Sequence, residues 1–91
     1  MSHTAREKTK LLNRVRRIRG QLEAVERALE AEQDCAEILH LLAAARGGMT
    51  GLMAGVIEDH IRAHVAAPAL DAGERSKGAD ELVEVVRSYL K

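Results

Sequence analysis

Three observations predict an all-α protomer of three helices, two long and one short. Apolar residues recur at helical spacing through two long stretches. No alternating strand pattern separates them. Only one proline, Pro68, stands in the 91 residues. A chain this short holds one domain at most, spanning residues 1–91. Its 46% hydrophobic content excludes a disordered composition.

The first helix is expected over about 5–31. Thr4 offers an N-cap, with Glu7 three residues on as in a capping box. Leu11, Val15, Ile18, Leu22, Val25 and Leu29 then form a strict seven-residue seam. Gly20 weakens that helix by roughly 1 kcal/mol against alanine, which the periodicity outweighs.

Asp34 reads as the next N-cap, with Glu37 three residues later. It opens a second helix over about 35–65, with a seam at Ile38, Leu42, Ala45, Met49, Leu52 and Val56. Leu39, Leu41, Met53, Ile57 and Ile61 widen the apolar surface well beyond a two-helix stripe. Gly47, Gly51 and Gly55 share one face and suggest the close approach of another helix; a break in the helix is the alternative.

Residues 66–78 contain Pro68, Gly73 and Gly78 and read as a loop. A last helix, about 79–90, carries Leu82, Val83, Val85, Val86, Tyr89 and Leu90. One chain cannot cover both seams. The expected assembly is therefore an obligate oligomer, with helices 1 and 2 antiparallel and helix 3 packed across another subunit.

Charge is unevenly placed. Residues 1–20 hold seven basic residues against the single acid Glu7; since the whole chain is neutral, residues 21–91 carry −6. A neutral chain with one basic end is a candidate for a polyanionic partner, although a solvated helix start would also account for it. Lys10, Arg14 and Arg17 fall on one stripe of helix 1, flanked by Arg6, while Arg16 and Arg19 point elsewhere. Repeated in an oligomer, such a stripe suits the phosphates of duplex DNA. Tyr89 is the only aromatic residue, so base stacking is nearly excluded.

Groups able to do chemistry are few: Cys35 and His3, His40, His60 and His64. No nucleophile–base constellation and no phosphate loop is present, which argues against an enzyme. His60 and His64 lie four apart on helix 2 and can share one metal ion, though a polar helix end is the plainer reading of this pair alone. Cys35 opens the same helix, where a thiol gains thiolate character; a small buried apolar residue is the plainer alternative. Cys35 and His60 stand about 38 Å apart along one helix and can meet only between antiparallel chains. Removal of Met1 before Ser2 would expose an amine beside His3. Ser2, His3, Cys35, His60 and His64 then form a mixed nitrogen and sulfur set suited to Ni(II) or Co(II), while Zn(II) needs only four of them. The lone cysteine and the lack of an apolar leader indicate a cytoplasmic setting. No run is long and apolar enough to span a membrane.

These residues resemble the CsoR/RcnR/FrmR family of small helical repressors. The likeness covers essentially the whole chain. It rests on Leu12 to Gln21 (LNRVRRIRGQ), on Cys35 and on Arg46-Gly47 with Gly51-Leu52-Met53. The closing residues Arg87 to Lys91 complete it. The resemblance implies a three-helix protomer without a helix-turn-helix, a homotetramer built as a dimer of dimers, and repression of an efflux or detoxification operon. It implies double-stranded operator DNA as partner, with Lys10, Arg14, Arg16, Arg17, Arg19 and Arg46 as candidate contacts.

The sensing positions of the family fall on His3, Cys35, His60 and His64. The copper branch usually has Cys where this chain has His64. The set looks like the nickel/cobalt branch. The formaldehyde branch usually carries Pro at position 2 and a residue other than His at position 64. Arg14 to Gln21 nevertheless look closer to that branch, so the alternative is a formaldehyde-responsive repressor using Cys35 and the N-terminal amine.

Overall fold

The computed structural model describes residues 5–90. They form three helices and no strand: α1 (Ala5–Glu30), α2 (Cys35–His64) and α3 (Ala72–Tyr89). Thr4, the expected first cap, lies outside the described residues.

The first two helices match the seams in the sequence, and each junction has a local cause. α1 closes with the Gln33 N–H on the Ala28 carbonyl (3.0 Å) and the Glu32 N–H on the Leu29 carbonyl (3.1 Å). That paired closure needs a left-handed residue, and Glu32 takes it with φ 54°. Asp34 caps α2 as expected, its carboxylate accepting from the Glu37 N–H at 2.9 Å. α2 then runs unbroken through all its glycines.

α3 differs from expectation. It begins at Ala72, about two turns before the expected start near residue 79, so the loop is far shorter than 66–78. Asp71 and Glu74 form a reciprocal capping box: the Glu74 N–H reaches Asp71 at 2.8 Å and the Asp71 N–H reaches Glu74 at 3.2 Å. That satisfies the first free amides and lets the helix absorb Gly73 and Gly78. α3 packs on α2 of its own chain.

α1 and α2 are antiparallel. Ile18 sits at Gly48, Arg14 at Gly51 and Leu11 at Gly55. The tightest approach is at Gly48, where a Cβ would stand 2.9 Å from Ile18 Cγ1; Gly47 faces open space. The close-approach row is therefore Gly48, Gly51 and Gly55.

α2 lies between the other two helices, and α1 does not touch α3. The result measures 56 × 31 × 13 Å, a layer one helix thick. Among the described residues, the buried apolar side chains are Ile18, Val25, Ala28 and Ala45. The seven-residue seam of α1 splits: Ile18 and Val25 bury against α2, while Val15, Leu22 and Leu29 stay 42%, 51% and 57% exposed. The accessible surface is 7003 Å², against about 5200 Å² for a compact monomer of this mass. The radius of gyration is 17.3 Å, against about 12 Å expected. A single layer has no second layer to cover its apolar face.

Candidate effector site and basic face

Helical phase divides the layer into two unlike faces. Met49 and Val56 of α2 lie about half a turn from Gly47 and Glu58. One face is apolar, with Met49, Met53 and Val56 lining a groove of about 640 Å³ against Leu82 and Val85 of α3. The other is charged. There Lys10 and Arg14 line a crevice with Glu58 and Arg62, and Arg14 and Arg17 line a second crevice over Gly47 and Gly51.

The basic stripe is thus kept together on the charged face. Arg14 also serves the fold: its Nη1 donates to the Gly51 carbonyl at 2.9 Å. Arg16 is engaged with Asn13 (3.2 Å) and Arg19 faces Glu23 (4.0 Å), both exposed and off the stripe. Arg46 lines the apolar groove and does not join Lys10, Arg14 and Arg17 in one chain.

The imidazoles sit at the C-terminal end of α2. His60 and His64 have ring centroids 5.0 Å apart and an interplanar angle of 41°. Both are half-buried. His60 Nε2 lies 2.9 Å from the carbonyl oxygen of Gly78. A carbonyl only accepts, so Nε2 carries a proton, and in the neutral ring the lone pair is then on Nδ1. A backbone carbonyl on the outer nitrogen is the usual support of a metal-ligating histidine, fixing its tautomer and ring plane.

Gly78 makes this contact possible. It is buried, and a Cβ there would overlap the His64 carbonyl oxygen and stand 2.9 Å from His64 Cβ. Sequence reasoning read Gly78 as a loop residue and missed this role. The signal that could have found it is the Asp71–Glu74 capping spacing, which places Gly78 inside a helix.

Cys35 is exposed at the first turn of α2, the opposite end from His60 and His64. The unbroken helix keeps them apart within one chain. Among the described residues, no three His, Cys, Asp or Glu side chains gather into a metal-binding group. Ser2 and His3 lie outside the described residues. His40 is exposed on α2, away from the imidazole pair. No helix among the described residues is long and apolar enough to cross a membrane.

Comparison with known proteins adds the lineage. A family model described as metal-sensitive transcriptional repressor matches residues 7–88. The chain is 50% identical over its whole length, and over the whole of the relative, to an uncharacterized protein in the bioA 5′ region of Serratia marcescens. It is 38% identical, with full coverage of both chains, to the transcriptional repressor RcnR of Salmonella paratyphi B. Among solved structures it is similar to a glutamate-to-histidine variant of the formaldehyde-responsive regulator FrmR from Salmonella enterica serovar Typhimurium. The TM-score is 0.89 at 40% identity, covering 96% of this chain and 98% of that one. Matched along nearly all of its length, the chain belongs to the family of metal-sensitive transcriptional repressors, which are regulators and not enzymes.

Proposed function

We propose that this protein is a cytoplasmic repressor that releases its operator when Ni(II) or Co(II) binds between two of its chains. The observation that carries this reading is the His60–His64 pair, with His60 held by the Gly78 carbonyl and its Nδ1 lone pair left available. The residues fit a borderline ion: two imidazoles from one chain, with the Cys35 thiolate, His3 and the Ser2 amine from a partner, where four of the donors suffice for Zn(II). When bound, the ion supplies a bridge between chains, and its difference in affinity for the two forms sets how far release is driven.

The chain's own surfaces do the rest. The apolar face is covered by further copies in a dimer of dimers, which brings one chain's Cys35 beside another's His60. Lys10, Arg14 and Arg17 lie along the phosphates of double-stranded operator DNA, with Arg16, Arg19 and Arg46 contributing from neighbouring positions in the assembly. Such contacts read shape more than base edges.

A Co(II) titration of the reduced protein tests the reading. Tight binding at one ion per chain is expected, with a sulfur-to-cobalt charge-transfer band that is lost in Cys35→Ala. Release of operator DNA should follow the same titration.

A second reading has its own support in the likeness to the formaldehyde-responsive regulator and in the exposed Cys35 thiol. Here the thiol and the N-terminal amine condense with one formaldehyde: S–C and C–N bonds form, one methylene is gained and one water leaves. Absence of tight Co(II) binding, together with a formaldehyde-dependent mass increase lost in Cys35→Ala, would select this reading.

A further inference from the structure

The end of α2 is held by a side chain that neither reading uses. Arg75, one turn into α3, is half-buried and spreads its guanidinium over three backbone carbonyls. Nη1 donates to Val65, and Nη2 to Leu70 at 3.1 Å and to Ala67 at 3.4 Å. Val65 is the C-terminal cap of α2, and the other two carbonyls belong to the link before α3. The last carbonyls of a helix have no partner of their own and carry partial negative charge, so a cation there is favourable. Here the cation comes from the next helix.

Arg75 and Gly78 are three residues apart and share one face of α3. Successive turns of α3 are thus tied to the end of α2, first by the Arg75 fork and then by Gly78 against His64. This register brings the Gly78 carbonyl to His60 Nε2.

We propose that Arg75 is a positioning residue for the effector site: by clamping the Val65, Ala67 and Leu70 carbonyls it sets the register of α3 that orients the His60 and His64 imidazoles. The inference rests on the reading of His60 and His64 as effector ligands. Arg75 lies on no part of the basic stripe, so its effect falls on sensing and leaves operator binding intact. Lysine is a poor substitute, because a single ammonium cannot spread over three carbonyls as a planar fork does.

The test uses the full-length protein and its Arg75→Lys and Arg75→Ala variants. Arg75→Lys retains the cation and the helix propensity, which protects the comparison if Arg75→Ala does not fold. Co(II) affinity should fall by about 10- to 100-fold, as for loss of outer support at metal sites, with an altered visible spectrum. Operator affinity of the metal-free protein should stay within about twofold, since no phosphate contact is removed. In metal-free protein, imidazole nitrogen shifts should show His60 as the Nε2–H tautomer in the wild type and as a mixture in Arg75→Lys.

A folded Arg75→Lys with wild-type Co(II) affinity, spectrum and tautomer would overturn the proposal. Parallel losses of Co(II) and operator affinity would also overturn it, as the mark of a general structural role. Failure of the wild type to bind Co(II) would sink the metal reading alone; the tautomer comparison would still decide the role of Arg75.

Discussion

Arg14 on α1 donates to the carbonyl of Gly51 on α2 at 2.9 Å, so a member of the basic stripe is also a strut between the two long helices. A Cβ at Gly51 would stand 3.4 Å from Arg14 Nη1, an ordinary contact, so the bond depends on the backbone carbonyl and not on the glycine. The two duties separate experimentally. Arg14→Ala should lower stability by about 1 kcal/mol, as for one exposed charge-assisted hydrogen bond. It should also reduce the salt slope of DNA binding by about one. Arg17→Ala should reduce the slope alone. Equal melting of both variants and the wild type would remove the strut.

Gly78 should not tolerate a side chain. Its neighbour is the His64 backbone, which cannot rotate away as a side chain can. Gly78→Ala should cost about 1–3 kcal/mol, the usual range for forced overpacking. Gly73→Ala is the control: its Cβ would meet only Asp71 Oδ1 at 3.4 Å, an ordinary contact. Thermal melts of the two variants should diverge, with Gly73→Ala at or above the wild type.

Glu32 occupies a position made for glycine. Its φ of 54° is the left-handed conformation that closes α1. Glu32→Gly removes a steric cost of about 1 kcal/mol and should raise the melting temperature by several degrees. A lower melting temperature would show that the glutamate side chain makes up the difference.

The cap of α3 gives a pH dependence. The Glu74 N–H bonded to Asp71 holds that carboxyl below its usual range, helped by the Glu74 side chain and the Gly73 N–H against a small opposing effect of burial. A carboxyl lowered in the folded state stabilises it above the ordinary carboxylate pKa. That contribution is lost as pH falls through the lowered value. Wild type and Asp71→Asn should therefore differ most near neutral pH and converge in acid. A difference that grew on acidification would contradict the cap.

Much of the fold could be read from the residues in order. Helix boundaries at Glu30 and Cys35 follow from the Asp34 cap and from seams whose period is local. The antiparallel pairing and the apolar excess follow from the width of the α2 surface. The separation of Cys35 from His60 follows from helix rise alone. The start of α3 was equally legible, in Asp71 and Glu74, but Gly73 and Gly78 read as breakers by residue type.

The sequence by itself thus determined the three helices, the family, the basic end and the histidine pair, because spacing along a chain determines what shares a helix face. Tertiary structure alone decided that Gly48 and not Gly47 meets α1, that Arg14 braces Gly51, and that Arg75 and the Gly78 carbonyl hold the imidazole end of α2. The physical reason is that these contacts end on backbone carbonyls or on the space left by a missing Cβ. Every residue has the same carbonyl, so nothing in its identity announces which one a distant side chain will find.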